Sequence, residues 1–332
     1  MKKLAVALLT TGFISVSFAQ ETKKPFVLEH LLHKHEFHLV NTTVYQQIQN
    51  YGAVYNTSHL FGFVDFTETD ELFFNASITF GNGITYKTQK EGYSLPTTAD
   101  DLEDYLKNIN DTGREYLLEL FYQKKIGRLT ISGGLIDSTA FMDANNYAND
   151  EHTQFLNPAF VNNPIAVLPS YNWGGYIHYR LTENAGISAL YMQNKPDKGN
   201  VGIVEVDLEI ENLSLRPYYF YLFNAEENKG FGISGDYTLG DKAGFFFRGG
   251  NSNVDYDYFI SGGFQVNNLF FDDYIGFGYG YIKGKAGVED IKVSEVYYTV
   301  NLNNYIFLTA DIQYMDEIKS DFIYGGRLYL VY

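Results

Sequence analysis

Residues 201–211 read Val-Gly-Ile-Val-Glu-Val-Asp-Leu-Glu-Ile-Glu, and this stretch decides the fold class. Successive side chains of an extended chain point to opposite faces. Val204, Val206, Leu208 and Ile210 therefore share one face, and Glu205, Asp207 and Glu209 the other. A slip of one residue would move three carboxylates into the apolar environment, so the register is strongly specified. Such a strand needs an apolar medium on one side and water on the other. A soluble sandwich could supply that for one strand, but the pattern recurs along the chain.

Working outward from 201–211, sixteen segments of period-two character with turn residues at their ends are legible. The first eight fall at 36–49, 58–67, 72–81, 114–124, 128–136, 171–181, 185–193 and 201–211. The rest fall at 213–223, 230–238, 243–251, 256–266, 273–282, 293–302, 305–314 and 321–332. In the last of these Phe322, Tyr324, Leu328, Leu330 and Tyr332 share a face with Gly326, and Arg327 lies opposite. The connections alternate in length. Those at 68–71, 125–127, 182–184, 212, 239–242, 267–272 and 303–304 are short, and the opposite set includes the long ones, 82–113 and 137–170. Short turns on the periplasmic side and longer loops outside are the asymmetry of bacterial outer-membrane barrels.

Composition agrees. The 332 residues include 29 Tyr and 27 Phe, 7 Pro and no Cys, yet mean hydropathy is slightly negative at -0.20. Beyond the N-terminus no apolar run reaches the ~18 residues of a membrane helix. Aromatic richness without long apolar runs suits a barrel whose outer face meets lipid and whose inner face meets water. The reading is an all-β, sixteen-stranded antiparallel transmembrane barrel over 36–332; it resembles the sixteen-stranded porins, a resemblance that implies a third outer loop, here 137–170, folded inward.

The N-terminus reads as a secretory leader over 1–19: a basic Met1-Lys2-Lys3, an apolar run, then Ser17-Phe18-Ala19 at the cleavage position. A periplasmic segment over 20–35 follows. Its His30, His33 and His35 fit no standard zinc spacing, and no metal or cofactor is expected. The formal charge is -16; subtracting the two leader lysines leaves -18. That acidity argues against nucleic acid as a partner and, in a pore, would favour cations. Catalysis is not supported, because His59, His152 and His178 have no accompanying nucleophile motif.

The third loop carries the functional constellation. It reads Asp143-Ala-Asn145-Asn146-Tyr147-Ala-Asn149-Asp150-Glu151, then Thr153-Gln154-Phe155-Leu156-Asn157, then Ala159-Phe160-Val161-Asn162-Asn163-Pro164, with Gly133-Gly134-Leu135-Ile136-Asp137 upstream. This stretch resembles the carbohydrate-selective porin family of the OprB type. The resemblance implies an outer-membrane pore for small sugars, often in trimers, in which 137–170 narrows the channel. The aromatic C-terminus resembles the signal read by barrel-assembly machinery, and lipid and lipopolysaccharide would surround the wall.

Amides and carboxylates in this loop can pair with vicinal hydroxyls, and aromatic faces can pack on a pyranose ring. Candidate constriction residues are Asp137, Asp143, Asn145, Asn146, Asp150, Glu151, Gln154 and Asn157. Half or more of such side chains are expected to cap the loop's own backbone. A calcium site from Asp143, Asn145, Asp150 and Glu151 is a weaker reading, since the spacing is not that of an EF-hand. On the wall, alternation directs Glu115, Glu119, Arg128, His178, Arg180, Glu205, Asp207, Glu209, Arg216, Arg248, Asp311 and Arg327 to the lumen. Arg128, Arg180 and Arg216 are the favoured sugar contacts, because a guanidinium fork can donate to two hydroxyls. Two other functions stay open: a general cation-preferring porin without a sugar site, and a non-conducting adhesin or structural barrel.

Overall fold

A computed structural model describes residues 34–100, 113–194, 199–223 and 228–332. Sixteen strands form one closed antiparallel barrel. They are β1 (Lys34–Ile48), β2 (Tyr51–Thr67), β3 (Asp70–Phe80), β4 (Gly113–Ile126), β5 (Leu129–Ile136), β6 (Asn172–Arg180), β7 (Ala185–Gln193) and β8 (Asn200–Ile210). Then come β9 (Leu213–Phe223), β10 (Lys229–Leu239), β11 (Ala243–Asn251), β12 (Tyr256–Asn267), β13 (Asp273–Gly284), β14 (Ile291–Asn303), β15 (Ile306–Asp316) and β16 (Ser320–Val331). Each strand pairs with its sequence neighbours, and β1 closes on β16 with Val40 opposite Val331. Closure leaves no unpaired edge, which is what lets backbone amides cross a hydrocarbon layer. Among the described residues two short helices, α1 (Thr85–Lys90) and α2 (Pro158–Val161), sit in the long connections.

The alternation is visible in β11. Phe245 and Phe247 are exposed on the outside, while Phe246 and Arg248 are buried inside. In β8, Val204 and Ile210 face out and Glu205 is buried, as the pattern of 201–211 requires. Exposed aromatics mark both ends of the wall: Trp173 and Phe231 near the long loops, Phe271 and Tyr305 near the short turns. Such rings suit the two membrane–water interfaces.

Three local departures from the sequence reading have physical causes. First, the connection expected at 51–56 is strand. The β1–β2 ladder runs on to Ile48 opposite Tyr51 and turns over Gln49 and Asn50, with Gln49 at φ 53°. Second, β4 carries a bulge: Asn75 pairs with Glu119 but Ala76 pairs with Leu117. A bulge inserts one residue and reverses the faces beyond it. Glu115 therefore lies on the outer face opposite Ile78, and Arg114, buried, takes the inward position. Third, Thr97–Leu106 reads from the sequence as a short helix capped by Thr98 or Asp100; that stretch falls mostly outside the described residues, and α1 lies earlier in the same connection.

The inner face is also less polar than a water-filled pore requires. Phe61, Phe73, Phe121 and Tyr176 form one inward cluster with Phe141 of the third outer connection, 137–170. Phe246, Phe259 and Tyr297 form another with Phe155 and Phe160 of the same connection. The wall thus offers apolar seats for a loop. One is cut by Gly278 in β13: a Cβ there would lie 2.8 Å from Phe160 and 3.0 Å from Phe155.

Candidate functional site

Segment 137–170 leaves β5 through Asp137, whose Oδ1 accepts from the Thr139 amide at 2.9 Å and starts a 3-10 turn at Ser138–Ala140. Its later half forms α2, capped by Asn157 Oδ1 accepting from Ala159 N at 3.0 Å, with Pro158 at the first helical position. Asn145, Asp150 and Asn163 likewise accept from amides two residues on, at Tyr147, His152 and Ile165. Much of the loop's polar content is therefore its own scaffolding, as Asn and Asp side chains tend to be.

Other backbone groups of the segment meet inward-facing side chains of the wall. Arginines take carbonyls. Arg216 of β9 donates to Ala144 O at 3.2 Å. Arg248 of β11 donates to Asp143 O at 2.8 Å, to Asn149 Oδ1 at 3.0 Å, and to the carbonyls of Ala148 and Phe160. Arg327 of β16 donates to Glu151 O at 2.7 Å and Gln154 O at 2.9 Å. Carboxylates take amides. Glu205 of β8 accepts from Asp143 N at 2.8 Å, and Glu295 of β14 accepts from Leu156 N at 2.6 Å and Asn157 N at 2.9 Å. Asp236 of β10 accepts from Asn146 Nδ2 at 2.6 Å and pairs with Arg216 at 3.1 Å. Hydrogen bonds to ionised partners are the strong kind. At the centre is an ion pair, Arg248 Nε to Asp143 Oδ2 at 3.0 Å, with neither side chain exposed.

The second long connection joins this assembly. Gln46 of β1 and Gln313 of β15 both donate to Thr97 O, at 3.0 and 2.9 Å. Ala99 N donates to Leu156 O at 2.7 Å, and Asn157 Nδ2 to Pro96 O at 3.3 Å. Farther out, Tyr93 donates to Asp321 at 2.6 Å and Lys319 pairs with Glu91 at 2.6 Å. The described part of this connection thus reaches from β3 to the β15–β16 edge of the barrel.

The expected site residues divide accordingly. Arg216, Arg248, Arg327 and Glu205 face inward as read, but their polar groups hold the loop's backbone or its acids. His178 and Asp207 also face inward, 3.6 Å apart and joined through Ser188. Glu209 pairs with Arg216 at 3.3 Å, and Asp311 is buried beside Gln313. Glu119 is buried and accepts from Asn75 at 3.1 Å. Asn145 donates to Ser234 Oγ at 3.1 Å, and Gln154 to Asn146 O at 2.9 Å. Arg128 and Arg180 are corrections to the reading. Both are exposed at the short-turn end, where Arg128 Nη1 caps Leu181 O at 3.0 Å. They lie on the strands that flank the third loop, but at the ends far from it. The four oxygen-bearing residues weighed for calcium do not converge: Asp143 serves Arg248, Asp150 caps His152, and no metal-binding group of three appears among the described residues.

Glu295 and Asp236 escaped the sequence reading. At the long-loop end of β14 the inward Ile291 and Val293 are apolar where the outward Lys292 and Ser294 are polar, because the loop, not water, covers that part of the wall.

Between the inserted segments and the inner face of β2–β4 a small polar recess of about 30 Å³ remains. Thr57, His59, Ser77, Thr79, Asp100 and Glu151 line it. The His59 and His152 rings meet edge-on there at 5.5 Å.

Comparison with known proteins agrees with this architecture. The model of the carbohydrate-selective porin, OprB family, matches residues 45–238. An uncharacterized protein of Aquifex aeolicus (strain VF5) is 40% identical over 301 residues, 90% of this chain and 95% of the relative. Among solved structures, the high-pH form of Pseudomonas putida OprB superposes with a TM-score of 0.72 at 13% identity, covering 90% of this chain and 94% of that one. The low-pH form gives 0.60 at 12% identity, covering 90% and 92%. This chain, an outer-membrane barrel of the porin class, belongs to the OprB family of carbohydrate-selective porins.

Proposed function

We propose that this porin passes small polar solutes, carbohydrates among them, through a barrel narrowed by its inserted loops. The observation that carries the reading is the pinning of segment 137–170 to wall residues from β8 round to β16. Pinning reduces a wide barrel to a narrow polar opening. Hydroxyl, imidazole and carboxylate groups line what is left, and they can exchange hydrogen bonds with sugar hydroxyls as water does. Conduction requires such contacts to be several and weak. The short turns face the periplasm in this reading.

Single-channel recording in planar bilayers tests it. Stepwise conductance that falls on adding glucose or maltose is the expected result. Full conductance at saturating sugar would favour a general porin, and no steps at all a non-conducting barrel. The corrected placement of the two mouth arginines gives a second expectation. Arg128→Ala and Arg180→Ala should leave both conductance and sugar block close to the parent's, whereas Arg216→Ala, which frees Ala144 O and Asp236, should change both. Equal effects in all three would put the path back at the short-turn mouth.

A further inference from the structure

The short turn between β12 and β13 is built unlike its neighbours. Other short turns carry a charged residue at the tip: Glu68, Arg128, Glu183, Glu211 and Asp241. This one reads Asn267-Asn-Leu-Phe-Phe-Asp272. Phe270 and Phe271 are 76% and 78% exposed, the most open large apolar side chains among the described residues, and Leu269 is exposed beside them. Adjacent phenyl rings left in water are costly, and an exposed apolar patch of this kind marks a contact surface.

Asp273 fixes where the rings go. Alternation in β13 sets Asp273 on the outer face with Phe277 and Tyr279, and in β14 it sets Tyr298 on that face with Val296. Yet Asp273 is only 2% exposed. Its Oδ1 accepts from the amides of Leu269 at 2.7 Å and Phe270 at 3.3 Å, and its Oδ2 from the Tyr298 hydroxyl at 2.6 Å. Asn268, at φ 56°, turns the chain, and its amide donates to Asp273 O at 2.7 Å. The turn is therefore folded outward over the wall, where it covers a carboxylate that would otherwise face lipid. Joining two strands requires no such carboxylate; aiming the rings outward does.

We infer that residues 268–272 form a membrane wedge, which seats Phe270 and Phe271 in the headgroup–acyl boundary of the leaflet at the short-turn end. That is the phospholipid leaflet in the orientation proposed above. The occupant is lipid because the patch is continuous with the lipid-facing wall: Leu239, Leu302 and Tyr305 are exposed along the same rim. Apolar rings gain by entering that boundary, while the turn's polar groups stay at headgroup level. One side of the rim is thereby pinned to the membrane, and the turns tipped by Glu68, Arg128, Glu183 and Glu211 remain in water.

Tryptophan fluorescence of the full-length protein in phosphatidylcholine vesicles tests it. Trp173, the sole tryptophan of the chain, lies at the opposite end and is first removed by Trp173→Phe. Phe270→Trp and Phe271→Trp are then read in plain lipid and in lipid brominated along its acyl chains, with iodide supplied on both sides of the membrane. Both probes should be quenched at least about two-fold by the brominated lipid and shielded from iodide, as rings in the acyl boundary are. Asp241→Trp, at the tip of a neighbouring turn, should be quenched by iodide alone. Adding Asp273→Ala, which releases the Leu269 and Phe270 amides, should move the probes at 270 and 271 toward the Asp241→Trp behaviour. Probes at 270 and 271 open to iodide and untouched by brominated lipid would overturn the wedge. So would probes shielded from both quenchers, the result expected if a second copy of the chain covers the turn. Neither result touches the solute path, so the porin reading stands apart from it.

Discussion

Arg248→Met should raise single-channel conductance several-fold and open segment 137–170 to proteases, while the barrel itself stays folded. Removing one partner of a buried ion pair typically costs ~3–5 kcal/mol, because the other charge is left uncompensated. Here Asp143 would be that charge, and the carbonyls of Asp143, Ala148 and Phe160 would lose their donor with it. Each orphaned buried acceptor adds ~1–3 kcal/mol. The segment can escape this cost by leaving its seat and meeting water. The wall cannot gain by unfolding, since its ladder closes from β1 to β16 without Arg248's side chain. Undocking, not barrel melting, is therefore the cheaper response. Conductance equal to the parent's, with the loop still resistant to proteases, would show that the arginine is dispensable.

The second large effect is expected from a position with no polar group at all. Gly278→Val places a branched side chain where a Cβ alone already meets Phe160 at 2.8 Å and Phe155 at 3.0 Å. Overpacking of this kind costs ~1–3 kcal/mol. Position 278 also pairs with Glu295, which holds the Leu156 and Asn157 amides, so the new bulk crowds a second anchor. Valine favours strands, so the strand itself has no reason to object. The loss should fall on the loop: wider channels and weaker sugar block, with little change in barrel heat resistance. Gly280→Ala supplies the control, because its Cβ would sit 3.4 Å from Ala159 in ordinary contact. Parent-like conductance in Gly278→Val would mean that α2 is not seated in that notch.

Much of the barrel was legible because alternation is a local property of the chain. The limits read for 185–193, 213–223 and 243–251 coincide with β7, β9 and β11. The failures lie where local pattern does not hold the information. The bulge that turns Glu115 outward adds one residue to an otherwise regular strand, and no residue type announces it. The turn over Gln49 and Asn50 was hidden because Tyr51-Gly-Ala-Val-Tyr-Asn reads as a polar-ended loop. At the site, the inward direction of Arg216, Arg248 and Arg327 was readable and their partners were not. Beside their acid partners, what these arginines bind is main-chain oxygen, which every residue carries and no sequence distinguishes. Glu295 was missed for a related reason, since a wall covered by protein need not be polar.

That same mode of attachment has a consequence for how the pore could be remodelled. The anchors of the third loop recognise carbonyls at 144, 148, 151, 154 and 160 and amides at 156 and 157, not the side chains at those positions. At those positions wall and loop are therefore decoupled in what each may vary, whereas Asp143, Asn145, Asn146 and Asn149, whose side chains the wall also holds, must be kept. The side chains that the loop shows to passing solute can drift or be redesigned with the gauge of the opening unchanged. Porins built this way could alter their cargo by point substitution, with no need to re-fit a plug.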